Sequence, residues 1–388
     1  MRIVHVITGL KQGGAEAMLE KLILTSGRCT PDWVHTVVTL GPVGTVGERL
    51  RSAGIDVLAL DIRGPWSLLS GAWRLWRLLR GRWRDSAVQT WLYHADVFGG
   101  LIGRLAGRKV YWNLRQTLPP LNEIKRTTRW VIRAGAKLSS WLPHAIVCCA
   151  NSVAESHIRA GYAAGRCVLI DNGFDLDRMH RDTAGRAALR SQWNITDREL
   201  AVGMVGRLDP LKDHHTFLSA IELASGRVPL LRAVLVGREV DTDPRLRARI
   251  ESANLQAKVR LVGERRDVAA VMSALDVFVL SSRSEGFPNV LGEAMACEVP
   301  CVTTEAGDAR RVLDMDEFVA PVADPTALAA RIEAICALSA EERTRLGKQL
   351  RGRIAEHFTI ELAWQRYRKL YEGVSGPGLS QAAGSGFA

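Results

Sequence analysis

The side chains best equipped for chemistry lie in the second half of the chain: the carboxylates Glu285 and Glu293 and the cations Arg207 and Lys212. Both acids fall in Ser284-Glu285-Gly286-Phe287-Pro288-Asn289-Val290-Leu291-Gly292-Glu293-Ala294-Met295, directly after the apolar run Ala274-Leu275-Asp276-Val277-Phe278-Val279-Leu280. Such a run is expected of a strand buried on both faces of a parallel sheet. Gly286 and Pro288 permit a sharp turn after it, and a helix beginning near Asn289 points unpaired N–H groups and a positive dipole end back at the loop. Such helix ends attract phosphate. Two acids beside a phosphate repel it unless they accept hydrogen bonds from uncharged groups of the same ligand, and sugar hydroxyls are suitable donors. The pattern points to a nucleotide sugar. Glu285 and Glu293, eight positions apart, do not form a helical face pair, so one belongs to the loop and the other to the helix, in different roles. The plain alternative is a helix start decorated by acids for dipole reasons alone.

Arg207 and Lys212 lie in Gly206-Arg207-Leu208-Asp209-Pro210-Leu211-Lys212-Asp213, after the first strand of the second half. The carboxyl ends of strands in open α/β sheets are where ligands bind. A guanidinium fork and a compact ammonium both suit a diphosphate.

The Glu285 segment resembles the E-x7-E motif of retaining GT-B glycosyltransferases of the GT4 type, and the surrounding Gly-Phe-Pro-Asn and Glu-Ala-Met make the match specific. The resemblance runs from Gly13 to Tyr371. It implies that Glu285 lies by the donor sugar, that Glu293 holds the ribose, and that Arg207 and Lys212 clamp the pyrophosphate. Gly286, Phe287, Pro288, Asn289, Val290 and Leu291 then complete the donor contacts, and Arg265, in Val262-Gly263-Glu264-Arg265, lies in the segment that cradles the base. Asp171-Asn172-Gly173-Phe174-Asp175 resembles the family's Pro-Asn-Gly-Val-Asp element, with Asp171 in place of Pro, and Glu298 stands where Gly is customary.

In the first half, Gly9-Leu10-Lys11-Gln12-Gly13-Gly14-Ala15-Glu16 is a glycine-rich loop between a strand and a helical run. Glycines let backbone N–H groups approach a ligand closely. By resemblance, Gly13 and Gly14 face the donor pyrophosphate across an interdomain cleft. His94, in Trp91-Leu92-Tyr93-His94-Ala95-Asp96, follows a strand and is a candidate contact to the reacting sugar or acceptor; a hydrogen-bonded strand-end histidine is the equal alternative. The family's functional His after the next strand has no counterpart in Trp112-Asn113-Leu114-Arg115.

The function implied is a retaining, hexosyltransferase-type enzyme with a UDP-linked donor and a glycan acceptor, polyprenyl-linked or a cell-surface polysaccharide such as lipopolysaccharide. No cofactor beyond the donor substrate is expected, and no metal is required where the Arg207 and Lys212 pair does its work. Retention needs no protein nucleophile if the leaving phosphate takes the acceptor proton on the same face. A catalytically silent nucleotide-sugar-binding protein and a GT-B UDP-sugar epimerase are the alternatives.

The chain has 388 residues, 47% hydrophobic, above the size at which one core splits into two. It carries 52 Lys and Arg against 41 Asp and Glu, a formal +11. The excess concentrates between Arg63 and Lys137, interleaved with Trp66, Trp73, Trp76, Trp83, Trp91, Trp112 and Trp130. Basic residues among tryptophans suit an anionic membrane surface, whereas nucleic acid is not indicated because no recognition motif accompanies them. Periodicity places Leu68, Leu69, Ala72, Trp73, Trp76, Leu79 and Trp83 on one helical side, a face that either packs on the sheet or meets lipid. No apolar run reaches the roughly 18 residues of a membrane-spanning helix and no secretory signal is evident, so the expectation is a cytoplasmic protein, peripheral on the inner face of the cell membrane. Seven cysteines without zinc-type spacing read as buried, reduced thiols.

Alternating β-like and helical stretches argue for a doubly wound α/β architecture in each half, and the resemblance implies two Rossmann-like domains in the GT-B arrangement. By the resemblance, the expected division is 1–172 for acceptor binding, 173–358 for the nucleotide sugar and a helix at 359–374 returning to the first domain; a flexible Gly/Ser-rich tail follows at 375–388.

Overall fold

The computed structural model describes residues 1–11, 13–118 and 124–374, so Gln12, Glu123 and the expected flexible tail lie outside the described residues. The chain divides into two compact units, Met1–Gly173 with Ile360–Ala388, and Phe174–Thr359.

The first unit holds strands β1 (Arg2–Ile7), β2 (Val34–Thr39), β3 (Asp56–Ala59), β4 (Ser86–Trp91), β5 (Val110–Leu114), β6 (Ala145–Cys148) and β7 (Cys167–Leu169) in the parallel order β3-β2-β1-β4-β5-β6-β7. Strand β4 is buried at every position although it carries Gln89 and Thr90, whose side chains hydrogen-bond to acceptors inside the unit. The edge strand β7, three residues long, is too short to stand out in the sequence. Helix Tyr93–Leu105 lies against β1, β4 and β5 because Gly99 and Gly103 bring no Cβ to the contact; one added at Gly99 would sit 2.9 Å from Val6. The helix Ile360–Glu372 closes the same core with Trp364, Tyr367 and Tyr371, and the two tyrosine hydroxyls are bound inside it: Tyr371 donates to Gln89 at 2.9 Å, and Asn113 donates to the Tyr367 hydroxyl at 2.8 Å.

The helix Pro65–Arg80 corrects the expected apolar face. Its buried row is Gly71, Leu75 and Leu79, whereas Trp66, Leu68, Leu69, Trp73 and Trp76 are exposed. Gly71 faces Ile62 and Leu60, with room for a Cβ in ordinary contact with them. Trp83, past the helix end, is buried with Trp91 and Trp112, so the sequence cluster of tryptophans splits into a core set and a surface set. Arg77 lies over the Trp73 ring, Arg80 over Trp76, and Arg133 over Trp130.

The second unit is a six-stranded parallel sheet, ordered β10-β9-β8-β11-β12-β13, of β8 (Leu200–Val205), β9 (Leu231–Val236), β10 (Val259–Val262), β11 (Val277–Leu280), β12 (Cys301–Thr304) and β13 (Val319–Ala320). Its ends meet at Phe174, whose N–H donates to the Phe358 carbonyl at 2.9 Å. All seven cysteines are free thiols and all but Cys29 are buried.

Candidate active site

The site in the second unit forms where the carboxyl ends of β8 and β11 lie side by side, since these strands pair in the sheet. The turn after β8 carries Lys212 and the turn after β11 carries Glu285, and their side chains meet at 2.5 Å, Nζ to Oε1. Both are largely buried. Ser282 donates to the same Oε1 at 2.6 Å, and Ser281 donates to the carbonyls of Lys212 and Asp213, each at 3.1 Å. Two consecutive serines at the end of β11 therefore hold the acid with one hydroxyl and the backbone of the cation with the other. Asp213 adopts a left-handed conformation (φ 50), caps the helix His214–Ser225 through Thr216, and binds Arg283 at 2.7 Å. Gly307 (φ +57) closes the loop from the other side; a Cβ there would lie 2.2 Å from the Glu285 carbonyl oxygen.

Arg207 is exposed and pairs through Nε and Nη2 with Asp209, at 3.0 and 2.7 Å. Burial works against the charge of Asp209, but hydrogen bonds from Arg207 and the Leu211 N–H hold its carboxyl below the ordinary value. Helix Asn289–Ala296 begins at the residue expected, with half-buried Asn289, Val290 and Glu293 on its open side and half-buried Gly286 before it. Phe287, Pro288 and Leu291 are buried: Phe287 packs on Phe174 and Phe358, the Leu291 N–H is spent on the Pro288 carbonyl, and Pro288 has no N–H to offer. The side chains of these three shape the loop from inside rather than face a ligand. Arg265 forms a two-pronged pair with Asp267, at 2.9 and 2.6 Å.

In the first unit, Gly13 precedes the helix Gly14–Cys29, and the Glu16 carboxylate occupies the space that a Gly13 side chain would take. Burial raises the pKa of Glu16 above the usual carboxylate value. His94 follows Leu92, which is forced to φ 72, ψ 152, a strained conformation for a branched side chain at the junction of β4 with its helix. His94 is half-buried, and burial lowers its pKa, so the imidazole is neutral at neutral pH. Beneath this turn Asp96 is fully buried and its pKa is pushed up to about 8. Burial drives this shift, against the Thr90 hydroxyl, which donates to Asp96 Oδ1 at 2.5 Å, and the Asn113 N–H, which faces the same oxygen at 3.5 Å.

Sequence reading passed over Ser281, Ser282 and Arg115. Arg115, just past β5, stacks on Trp91 and donates to Asn113 and Asn172. It occupies the strand end where the family's His is missing. Its signal was the lone cation of Trp112-Asn113-Leu114-Arg115. Glu298, in the place of a customary Gly, sits at φ 61, the left-handed region that favours glycine. Three Asp-x-Asp triplets, a spacing that can present carboxylates to a metal, are used locally: Asp175 accepts from the Asp177 N–H, Asp243 caps a helix, and Asp314 and Asp316 pair with Arg353 and Arg310.

The comparisons with known proteins agree with this layout. The family described as Glycosyltransferase Family 4 matches residues 30–178, and the family described as Glycosyl transferases group 1 matches residues 185–353. A relative from Campylobacter jejuni, N-acetylgalactosamine-N,N'-diacetylbacillosaminyl-diphospho-undecaprenol 4-alpha-N-acetylgalactosaminyltransferase, is 30% identical over 154 residues, 39% of each chain. The UDP-Gal:alpha-D-GlcNAc-diphosphoundecaprenol alpha-1,3-galactosyltransferase of Escherichia coli is 25% identical over 64% of each chain. The first curated relatives are matched over only a third to two fifths of their own length, 33% and 39%. The solved structure of Anabaena Alr3699/HepE in complex with UDP superposes with a TM-score of 0.83 at 21% identity, over 96% of this chain and all of that one. With a family match on each side of residue 180 and the same two-sheet architecture, the chain belongs to the GT4-type, group 1 glycosyltransferases of GT-B fold.

Proposed function

We propose that the protein is a retaining glycosyltransferase that moves a sugar from a UDP-linked donor to a glycan on a lipid-phosphate carrier. The Lys212–Glu285 contact carries this reading. A cation and an acid held together at a helix N-terminus match the two ends of a nucleotide sugar. The diphosphate takes Lys212 and Arg207, and Glu285, released from Lys212, accepts from the sugar hydroxyls. Glu293, one helix turn inward, accepts from the ribose. The cations stabilise the charge that grows on the leaving phosphate, which takes the acceptor's proton on the face it departs from. Neutral His94 is suited to hydrogen-bond the reacting sugar or acceptor. The relatives whose names include a diphosphoundecaprenol acceptor support a polyprenyl carrier, and the UDP-bound neighbour supports a uridine donor.

The exposed Trp66, Trp73, Trp76 and Trp130, set among arginines, support seating of the first unit on an anionic membrane at the inner face of the cell membrane. Among the described residues no helix is long and apolar enough to cross a membrane. Purified protein is to be titrated with UDP, GDP, ADP and CDP and then assayed with the matching sugar donors. Saturable UDP binding and a product with the donor's anomeric configuration are expected; preference for another base, or inversion, overturns the reading.

A further inference from the structure

An apolar groove of about 670 Å³ opens in the first unit between the helices Pro65–Arg80, Tyr93–Leu105 and Arg126–Leu138. Half-buried Thr8, Gly41 and His94, residues just beyond the carboxyl ends of β1, β2 and β4, line it together with buried Leu40 and Ile102. Its walls are aliphatic and aromatic, with Leu69, Phe98 and Leu101 toward the surface, where Leu69 is 63% and Leu101 40% exposed. We propose that this groove binds the hydrocarbon chain of the lipid-phosphate acceptor, so that the carrier's head group lies at His94 and its tail runs outward between the helices. The inference rests on the acceptor class proposed above and assigns that chain its site.

The groove's chemistry selects a hydrocarbon over a peptide. A peptide brings N–H and C=O groups that need partners, and the walls offer few beyond Thr8 and His94. A methylene chain needs none, and the volume lies within the range of ligand pockets. Exposed Trp66, Trp73 and Trp76 belong to the same helix as Leu69, and Trp130 to the helix of Val131. Tryptophan suits the level of lipid head groups, apolar on one side and wet on the other. Arg74, Arg77, Arg80 and Arg133 on those helices give the surface the sign that complements a phosphate-bearing lipid.

The test uses the full chain and three probes below their micelle concentrations: octyl, decyl and dodecyl phosphate, titrated by calorimetry. Affinity should rise about fourfold per added methylene, the increment for a buried CH2. The double variant Leu69→Asp, Leu101→Asp should bind dodecyl phosphate at least tenfold more weakly while keeping its UDP affinity. Both positions are exposed, so the acids do not open the core. Affinity independent of chain length, or full binding by the variant, overturns the proposal, as does self-association of the wild type abolished by the same variant, which assigns the groove to a second copy. The UDP titration of the same sample separates the two readings: absent UDP binding defeats the donor assignment, whereas intact UDP binding with no chain-length dependence defeats the groove alone.

Discussion

Lys212 and Glu285 are 73 residues apart in the chain and 2.5 Å apart in the fold. Each neutralises the other in a largely buried setting, and on the function proposed above a diphosphate takes Lys212 in place of Glu285 and frees the acid for the sugar. Removing one partner leaves the other charge largely buried without its counter-ion. Lys212→Ala and Glu285→Ala should each destabilise the second unit, and the double variant should cost less than their sum by roughly 0.5–3 kcal/mol. Denaturant unfolding of the four proteins measures this coupling; additive losses would mean the contact carries no energy.

Turnover should fall more than substrate saturation in both Arg207→Ala and Lys212→Ala, because the leaving diphosphate gains charge in the transition state. Activity should also survive EDTA, the cations standing in for a metal. Wild-type turnover in both variants, or loss of activity in EDTA that added divalent cation restores, would refute this arrangement.

Glu293→Ala should weaken UDP binding by about 1.5–3 kcal/mol, the range for a hydrogen bond to a charged group. Calorimetry on the folded variant is the check. Unchanged affinity removes Glu293 from the ribose site.

Asp96 predicts an unusual pH dependence. Its folded pKa is about 8 and its ordinary value 3.8, so between those values the folded chain keeps a proton that the unfolded chain releases. The stability it lends is complete below the lower value and is lost as pH rises toward the upper one, in total on the order of a few kcal/mol. Asp96→Asn removes the titration and keeps an acceptor for the Thr90 hydroxyl, so the variant should gain on the wild type between pH 5 and pH 8. His5 and His35 act in the opposite sense: burial lowers both, His35 to about 4, so their contribution disappears as pH falls below about 6.5. Equal pH slopes for wild type and Asp96→Asn would show that Asp96 is ionised in the fold.

Anionic vesicles should sediment the protein and neutral ones should not. Each basic residue near the surface contributes about 1 kcal/mol, screened by salt. Replacing Lys125, Arg126, Arg129 and Arg133 with Glu, or raising the salt, should release it. Equal binding to neutral vesicles would reject the electrostatic mechanism.

The alternation of strand and helix was legible because a parallel strand covered on both faces is mostly apolar, and Gly, Pro and Asp mark where it ends. β11, its loop and the helix at Asn289 could be read residue by residue for that reason. The short edge strands β7 and β13 could not, since two or three residues buried by neighbours leave no period. For the site, local order was enough to nominate Glu285, Glu293, Arg207 and Lys212, but the 2.5 Å approach of Lys212 to Glu285 follows from β8 pairing with β11, a choice made by sheet topology and not by local spacing. The same holds for surface and core. Periodicity shows that the helix Pro65–Arg80 has apolar rows, but the row that docks is Gly71, Leu75 and Leu79, a choice made by packing against the rest of the unit. That contact turns Trp73 and Trp76 outward, just as the burial of Asp96 under a strained turn decides a proton that no spacing of residues encodes.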